Sequence, residues 1–157
     1  MLTILMDSLE STKKRALRIL GSRNFSEQEM IKRLTAKGET QEDAEEAVRW
    51  LAGLGYINDS DYAAMIVRHY SGKGYGTARI KDELFRRGIP RDLWDEKLTE
   101  LDGETQSDAA IVFLRKKLRG SEDESDLRRA ANALVRRGFS YNEANTALQR
   151  YLECPEE

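Results

Sequence analysis

A motif that returns every 50 residues is the feature of this 157-residue sequence that most constrains its fold. Gly38, Gly88 and Gly138 stand 50 residues apart, and each follows a basic residue and has a leucine four positions earlier. A fixed period that preserves both spacing and residue chemistry indicates a repeated supersecondary unit. The chain is therefore predicted to contain three copies of one unit.

Each copy has the pattern of a helical hairpin around its glycine. A glycine that follows a basic residue is typical of a helix C-terminus, where a left-handed residue ends the helix. A capping residue or a proline follows two positions later, so a second helix is predicted to start at Thr40, Pro90 and Ser140. Before each glycine, apolar residues four positions apart mark one helix face. These pairs are Met30 and Leu34, Ile80 and Leu84, and Ala130 and Leu134.

A further amphipathic segment precedes each hairpin, and no segment alternates apolar and polar residues as a strand would. We therefore predict an all-α protein with three tandem three-helix repeats, helix-turn-helix-like units that form an elongated, curved chain. Two helices bury little apolar area alone, so the third helix and the neighbouring repeats are expected to complete each core. The predicted repeats are residues 9–53, 59–101 and 105–152.

The charge of the chain is sorted into blocks, although 26 basic and 28 acidic residues nearly cancel. Residues 10–38 and 68–91 each carry a net charge of +5, whereas residues 39–61 and 92–108 each carry −6. The first two helices of the first two repeats are therefore basic, and the third helix is acidic. One interpretation is solvated helix faces with intramolecular ion pairs. The other is a positive strip that faces an acidic partner or a phosphate backbone.

The composition offers little for catalysis or metal binding. One histidine, His69, and one cysteine, Cys154, can form neither an internal disulfide nor a metal cluster of such ligands. His69 has no nucleophile motif beside it. The glycine-rich segment at residues 72–76 lacks the phosphate-loop pattern and a preceding strand, although its amides and Lys73 can hold an anion. We expect no enzymatic activity, no cofactor and no metal.

The N-terminal apolar run is too short for a signal peptide, since it comprises only about five residues before Asp7. No stretch approaches the roughly 20 apolar residues of a membrane helix. We therefore expect a cytoplasmic protein that has no membrane partner and is a monomer.

Three helices with a glycine turn also describe a helix-turn-helix unit, whose last helix enters the DNA major groove. Here the last helix of the first repeat carries Glu42, Asp43, Glu45 and Glu46, which phosphates would repel. If single- or double-stranded DNA is bound, the basic first two helices are expected to bind it weakly, without sequence preference and with strong salt sensitivity. An autonomous DNA-binding protein of this kind is the alternative function.

The central repeat carries a long and specific motif. It reads Gly55-Tyr-Ile-Asn-Asp59-x-x-Tyr62-Ala63, then Arg68, then Gly72-Lys-Gly-Tyr-Gly76-x-x-Arg79-Ile80-x-x-Glu83-Leu84-x-x-Arg87-Gly88-Ile89. Upstream stand Ala16-Leu17-x-x-Leu20 and Ser26-Glu-Gln-Glu-Met30-x-x-Arg33-Leu34. These residues resemble the RecX family of regulatory proteins, and the resemblance runs from about residue 13 to residue 152. Asn58 stands where the family more usually has aspartate, a change expected to affect only a helix cap.

The resemblance implies three tandem three-helix repeats and a non-enzymatic modulator of the bacterial recombinase RecA. It implies binding along the groove of the RecA filament on single-stranded DNA. Such binding hinders filament extension, strand exchange, ATP hydrolysis and the co-protease activity of the filament. The expected role is regulation of DNA repair, recombination and the SOS response.

The basic residues of the central repeat are the predicted contacts with the RecA filament or the DNA backbone. Arg79, Arg87 and Tyr75 stand in the family signature, and the others follow from the charge sorting. The alternative for each basic residue is a solvated helix-face charge, and for Tyr75 it is a packing role. The predicted residues are Arg68, Lys73, Tyr75, Arg79, Lys81, Arg86, Arg87 and Arg91.

Overall fold

The computed structural model describes residues 2–101 and 103–154, except for the side chains of residues 2–6, 104 and 105. Nine α-helices and one short 3-10 segment, without a strand, make up the regular structure of these residues, which confirms the all-α prediction. The helices are α1 (Leu2–Leu20), α2 (Glu27–Ala36), α3 (Gln41–Gly53), α4 (Asp59–Gly72), α5 (Thr77–Arg86), α6 (Trp94–Leu98), α7 (Gly103–Leu118), α8 (Glu124–Arg136) and α9 (Tyr141–Glu153).

The three periodic glycines follow the ends of α2, α5 and α8, as predicted. Gly38, Gly88 and Gly138 have φ angles of +99°, +73° and +101°. An L side chain is strained in this left-handed region, so glycine ends the helix there at little energetic cost. The basic residues Lys37 and Arg137 occupy the C-cap positions of α2 and α8, where a positive charge is favoured by the helix dipole.

The helix starts also follow the sequence pattern. The side chains of Ser26, Thr40 and Ser140 each accept a hydrogen bond from the amide three residues later. At both serines a glutamate at the third helical position bonds back to the cap amide, which completes a capping box. The carboxamide oxygen of Asn58 accepts a hydrogen bond from the Asp61 amide at 3.1 Å, so asparagine caps α4 here.

The described chain divides into two compact units, of which the first is Met1–Ala63 with Phe85–Leu93. In this unit α1 and α2 pack on α3. The predicted apolar face of α2 is buried, as is the apolar face of α3, and on α1 Ala16 is buried whereas Leu17 is exposed. The core comprises Ala16, Phe25, Met30, Leu34, Ala44, Ala47, Val48, Leu51 and Ile57.

The second compact unit is Ala64–Leu84 with Trp94–Glu157. Here α7 and α8 pack on α9, and Ile80 and Leu84 of α5 are fully buried. Since the central repeat contributes to both units, the three repeat boundaries stay a prediction. The main core comprises Ala110, Ile111, Leu114, Leu118, Ala130, Leu134, Phe139, Ala144, Ala147 and Tyr151.

The helix α6 is short, although Trp94, Leu98 and Leu101 have the apolar spacing of a longer helix. A 3-10 turn, Arg91–Leu93, leads into the five-residue α6, and Leu101 lies beyond the end of that helix. Lys97 interrupts the stripe, and no side chain of α6 is buried. A stripe with so few apolar positions gives a longer helix too little buried area to stabilise it.

Candidate partner-binding site

The eight predicted contact residues are divided between the two compact units and between exposed and half-buried positions. Arg68, Lys73, Tyr75, Arg79 and Lys81 belong to the second unit, and Arg86, Arg87 and Arg91 belong to the first. The exposed ones are Arg68, Lys73, Lys81, Arg86 and Arg91. Three are half-buried and contact other residues of the fold, which limits how far their side chains can reach a partner. They are Tyr75, Arg79 and Arg87.

Arg79 and Lys81 do not share a surface of α5. They are two residues apart, so their side chains leave the helix about 200° apart. The Arg79 guanidinium lies 5.7 Å from the ring centroid of Tyr75, in the loop that precedes the helix. Lys81 is exposed. A single continuous basic face on α5 is therefore not formed by these two residues.

Arg87 is engaged inside the first compact unit. Its guanidinium donates a hydrogen bond to the Tyr62 hydroxyl at 3.0 Å, and its carbonyl oxygen accepts one from the Ser26 hydroxyl. Burial raises the pKa of Tyr62, and the Glu29 carboxylate adds to the rise, whereas Arg87 and Arg23 oppose it. Arg87 therefore secures the end of α5 against the start of α2, and its predicted contact with a partner stays a prediction.

Arg137, which follows α8, fixes the glycine-rich loop before α5. Its guanidinium donates hydrogen bonds to the carbonyl oxygens of Lys73 at 2.8 Å and Gly74 at 3.2 Å. The same group lies 4.3 Å from the ring centroid of Tyr75 and 4.7 Å from that of Phe113. A guanidinium with ring contacts and two carbonyl acceptors is strongly oriented. The loop is consequently a packed structure, which agrees with the packing alternative for Tyr75.

The sequence-based site did not include Arg137, although the 50-residue period points to it. Arg87 and Arg137 are equivalent in the period, and each precedes a left-handed glycine. Each also offers its carbonyl oxygen to the start of another helix, Arg87 to Ser26 and Arg137 to the Gly76 amide. The 50-residue period therefore points to Arg137, whereas the distribution of charge along the chain does not single it out.

A pocket of about 350 Å³ lies beside the Arg137 cluster, within the second compact unit. Its cationic rim and apolar wall include Lys73, Lys116, Val112 and Phe113. The acidic residue in its lining, Asp108, is paired with Arg150 at 3.3 Å. A pocket that combines cations with an accessible apolar wall can bind an acidic segment that also carries an apolar side chain.

Other kinds of site find no support in the part of the chain that the structure describes. No three histidine, cysteine, aspartate or glutamate side chains there are grouped as metal ligands. His69 contacts the Tyr70 ring edge to face, with centroids 5.2 Å apart. None of the described helices is long and apolar enough to cross a membrane.

Known proteins match both the sequence and the fold. Two family models match, "RecX, first three-helix domain" over residues 13–51 and "RecX, second three-helix domain" over residues 58–98. A regulatory protein RecX from Xanthomonas campestris pv. campestris (strain B100) is 34% identical over 142 residues, which cover 89% of this chain and 87% of the relative. The crystal structure of RecX from Lactobacillus salivarius has a TM-score of 0.83 at 21% identity, covering 92% of this chain and 97% of that one. A further crystal structure, of a regulatory protein RecX, has a TM-score of 0.78 at 24% identity, covering 97% and 73%.

Proposed function

Since the chain belongs to the RecX family of regulatory proteins, we propose that it is a non-enzymatic modulator of the RecA recombinase. It binds the RecA filament on DNA and limits filament extension, strand exchange, ATP hydrolysis and co-protease activity. It acts as a monomer in the cytoplasm and so regulates DNA repair and recombination. The observation that carries the proposal is the 34% identity with a regulatory protein over 89% of this chain.

The pocket beside Arg137 supports a protein as the partner. Lys73 and Lys116 provide positive charge for acidic side chains, and Val112, which is 48% exposed, provides apolar contact area. Protein interfaces gain most of their binding free energy from a few such central contacts, with charges at the rim setting the approach. An acidic segment of the recombinase that carries an apolar residue matches this chemistry.

Hydrolysis of ATP by RecA on single-stranded DNA is the direct test of the proposal. The full chain is expected to lower the rate and to sediment with preformed filaments at two salt concentrations. Bare DNA in the same sedimentation assay is the control. An unchanged rate of hydrolysis, together with equal binding to bare DNA and to filaments, would contradict the proposal and favour the autonomous DNA-binding function.

Charge-reversal variants test where on this chain the contact with RecA lies. The pair Lys73→Glu and Lys116→Glu is expected to weaken inhibition of ATP hydrolysis about tenfold, because rim charges guide association with an acidic surface. Lys14→Glu with Lys32→Glu is the matched control, since both lysines are exposed, on α1 and α2, and neither lines the pocket. Lys81→Glu with Arg86→Glu tests the two exposed predicted residues on α5. Loss of inhibition in this last pair alone would place the contact on α5 and exclude the pocket.

A further inference from the structure

A second groove, of about 440 Å³, lies in the third repeat between the end of α7 and one face of α8. It shares no lining residue with the pocket beside Arg137 and none with the eight predicted contacts. Its lining residues are Lys117, Leu118, Asp126, Arg129, Asn132 and Arg136. From this lining we infer that the groove binds the sugar–phosphate backbone of a nucleic acid.

The polar residues of α8 form one continuous face of that groove. Arg129, Asn132 and Arg136 follow the spacing i, i+3 and i+7, which places them on the same side of a helix. The two arginines are separated by about 10 Å along the helix axis. Lys117, in the last turn of α7, lines the groove with them, and all four side chains are exposed. A strand lying along α8 meets Arg129 and Arg136 on this face and Lys117 from α7.

The three cations of the lining outnumber its one carboxylate, Asp126. Asp126, the acidic residue of the lining, accepts the Ser121 hydroxyl at 2.7 Å. Glu124 pairs with Arg128, outside the lining, at 3.3 Å. Arg129 donates to the neutral Ser125 hydroxyl at 3.1 Å. Among the described residues, the three cations of the groove form no ion pair with a carboxylate, so their charge is available to an anionic ligand.

The lining favours a phosphate backbone over an acidic protein segment. Leu118, its apolar residue, is only 6% exposed, so the groove lacks the apolar anchor on which protein interfaces depend. The pocket beside Arg137, by contrast, has the exposed Val112 in its wall. Polar, positively charged surfaces are typical of protein–DNA interfaces, and the planar guanidinium matches the geometry of phosphate oxygens. Contacts of this kind hold the backbone without reading base sequence.

The inference goes beyond the proposed modulation of RecA, since the groove binds a nucleic-acid strand in the absence of any recombinase. The test measures fluorescence anisotropy of a labelled oligothymidylate with the full chain at several salt concentrations. Arg129→Gln and Arg136→Gln are each expected to weaken binding about fivefold at low salt. Each is also expected to reduce the slope of log K against log salt by about 0.7, the loss of one phosphate contact with a single strand.

Arg128→Gln is the matched control, because Arg128 is exposed on the same helix but outside the groove. It removes the same charge and is expected to bind as the unsubstituted chain does. Equal weakening by Arg128→Gln and Arg129→Gln would overturn the inference, since net charge alone would then account for binding. Unchanged binding in both groove variants would overturn it as well.

Poly-L-glutamate in the same assay separates the two kinds of anionic partner. Loss of polyglutamate binding without loss of oligothymidylate binding, in Arg129→Gln and Arg136→Gln, would assign the groove to an acidic protein segment and overturn the inference. Circular dichroism is expected to show unchanged helix content, because the substituted side chains are exposed. Inhibition of RecA ATP hydrolysis is measured on the same variants. It tests the proposed function, whereas the anisotropy assay tests the groove, so the two outcomes are distinguishable.

Discussion

The backbone amide of Gly76 donates a hydrogen bond to the carbonyl oxygen of Arg137 at 2.8 Å. In the first compact unit the Ser26 hydroxyl donates to the carbonyl oxygen of Arg87. Ser26 and Arg87 each stand 50 residues before their counterparts in the second unit. In both junctions the end of one helix meets the start of another. Because carbonyls at helix ends lack partners in their own helices, each junction satisfies such a carbonyl, and the second also satisfies the Gly76 amide at the start of α5.

Replacing two of the periodic glycines with alanine separates the energetic cost of opening the helix junction from the cost of backbone strain. Gly38 and Gly138 have nearly the same φ, +99° and +101°, but a Cβ at Gly38 meets no atom within 4 Å. A Cβ at Gly138 would lie 2.7 Å from the Cβ of Arg79. Gly38→Ala is expected to lower the free energy of unfolding by about 1–2 kcal/mol through strain alone. Gly138→Ala is expected to lower it by about 1–3 kcal/mol more, because the junction must open.

Urea denaturation followed by circular dichroism measures both free energies of unfolding. Equal losses in Gly38→Ala and Gly138→Ala would contradict the prediction, since the close approach at Gly138 would then have no energetic consequence.

Two serines with the same capping box provide a second matched pair. Ser26 and Ser140 both cap a helix, but Ser26 is fully buried and also bonds to Arg87, whereas Ser140 is exposed. Ser140→Ala is expected to lower the free energy of unfolding by about 1 kcal/mol, the usual value of a cap. Ser26→Ala is expected to lower it by about 1 kcal/mol more, since the Arg87 carbonyl oxygen also loses its donor. A larger loss for Ser140→Ala in urea denaturation would rule out a stabilising role for this junction.

Local signals account for what the sequence predicted correctly. Three kinds of correct prediction depend on residues within one or two helical turns. They are the left-handed Gly38, the capping residues Thr40 and Ser140, and the buried apolar pair Met30 and Leu34 of α2. The glycine at position 76 depends on something different, the backbone of Phe139, whose amide nitrogen would lie 2.6 Å from a Cβ there. That proximity arises from tertiary packing, so the sequence around Gly76 predicts only a turn.

The sequence predicted the net charge of the candidate site but not which of its basic residues are exposed. The block around Arg87 has the expected net positive charge, yet Arg87 itself is half-buried and bonded to Tyr62. Helical periodicity in the sequence cannot show which basic residue becomes half-buried where the end of one helix meets the start of another. In the third repeat, the spacing of Arg129 and Arg136 indicates one helix face, but only the packing of α7 on α8 adds Lys117 to the groove.

Arginine-to-alanine changes at neighbouring positions test whether Arg87 is structural. Arg87→Ala is expected to lower the free energy of unfolding by about 2 kcal/mol, because the buried Tyr62 hydroxyl loses a charged partner. Arg86→Ala, at an exposed neighbouring position, is expected to change it by less than about 0.5 kcal/mol. Tyr62→Phe completes a double-mutant cycle with an expected coupling of about 1 kcal/mol. Unaltered stability of Arg87→Ala, together with lost inhibition of RecA, would instead identify Arg87 as a partner contact.

The carboxylates at the start of α2 predict a pH dependence of stability. Asp59 accepts a hydrogen bond from the Glu27 amide at 3.0 Å. Burial raises the pKa of Asp59 despite this bond, and Glu29 adds to the rise. Burial and the Asp59 charge also raise the pKa of Glu27. A raised carboxyl pKa means that the folded state binds more protons than the unfolded state. The stability that these carboxyl groups contribute is therefore present at low pH and is lost as pH rises.

Asp59→Asn is expected to remove that loss, because the amide retains an acceptor oxygen for the Glu27 amide but cannot ionise. The stability of the variant relative to the unsubstituted chain is expected to increase as pH rises from about 3, below the ordinary carboxyl pKa values, to about 6. Thermal unfolding at a series of pH values measures it. Asp61→Asn is the control, since it removes the same charge at an exposed position in the first turn of α4. A stability difference for Asp59→Asn that stays constant over this range, or changes in parallel with that of Asp61→Asn, would show that burial and the Glu29 carboxylate do not raise the pKa of Asp59.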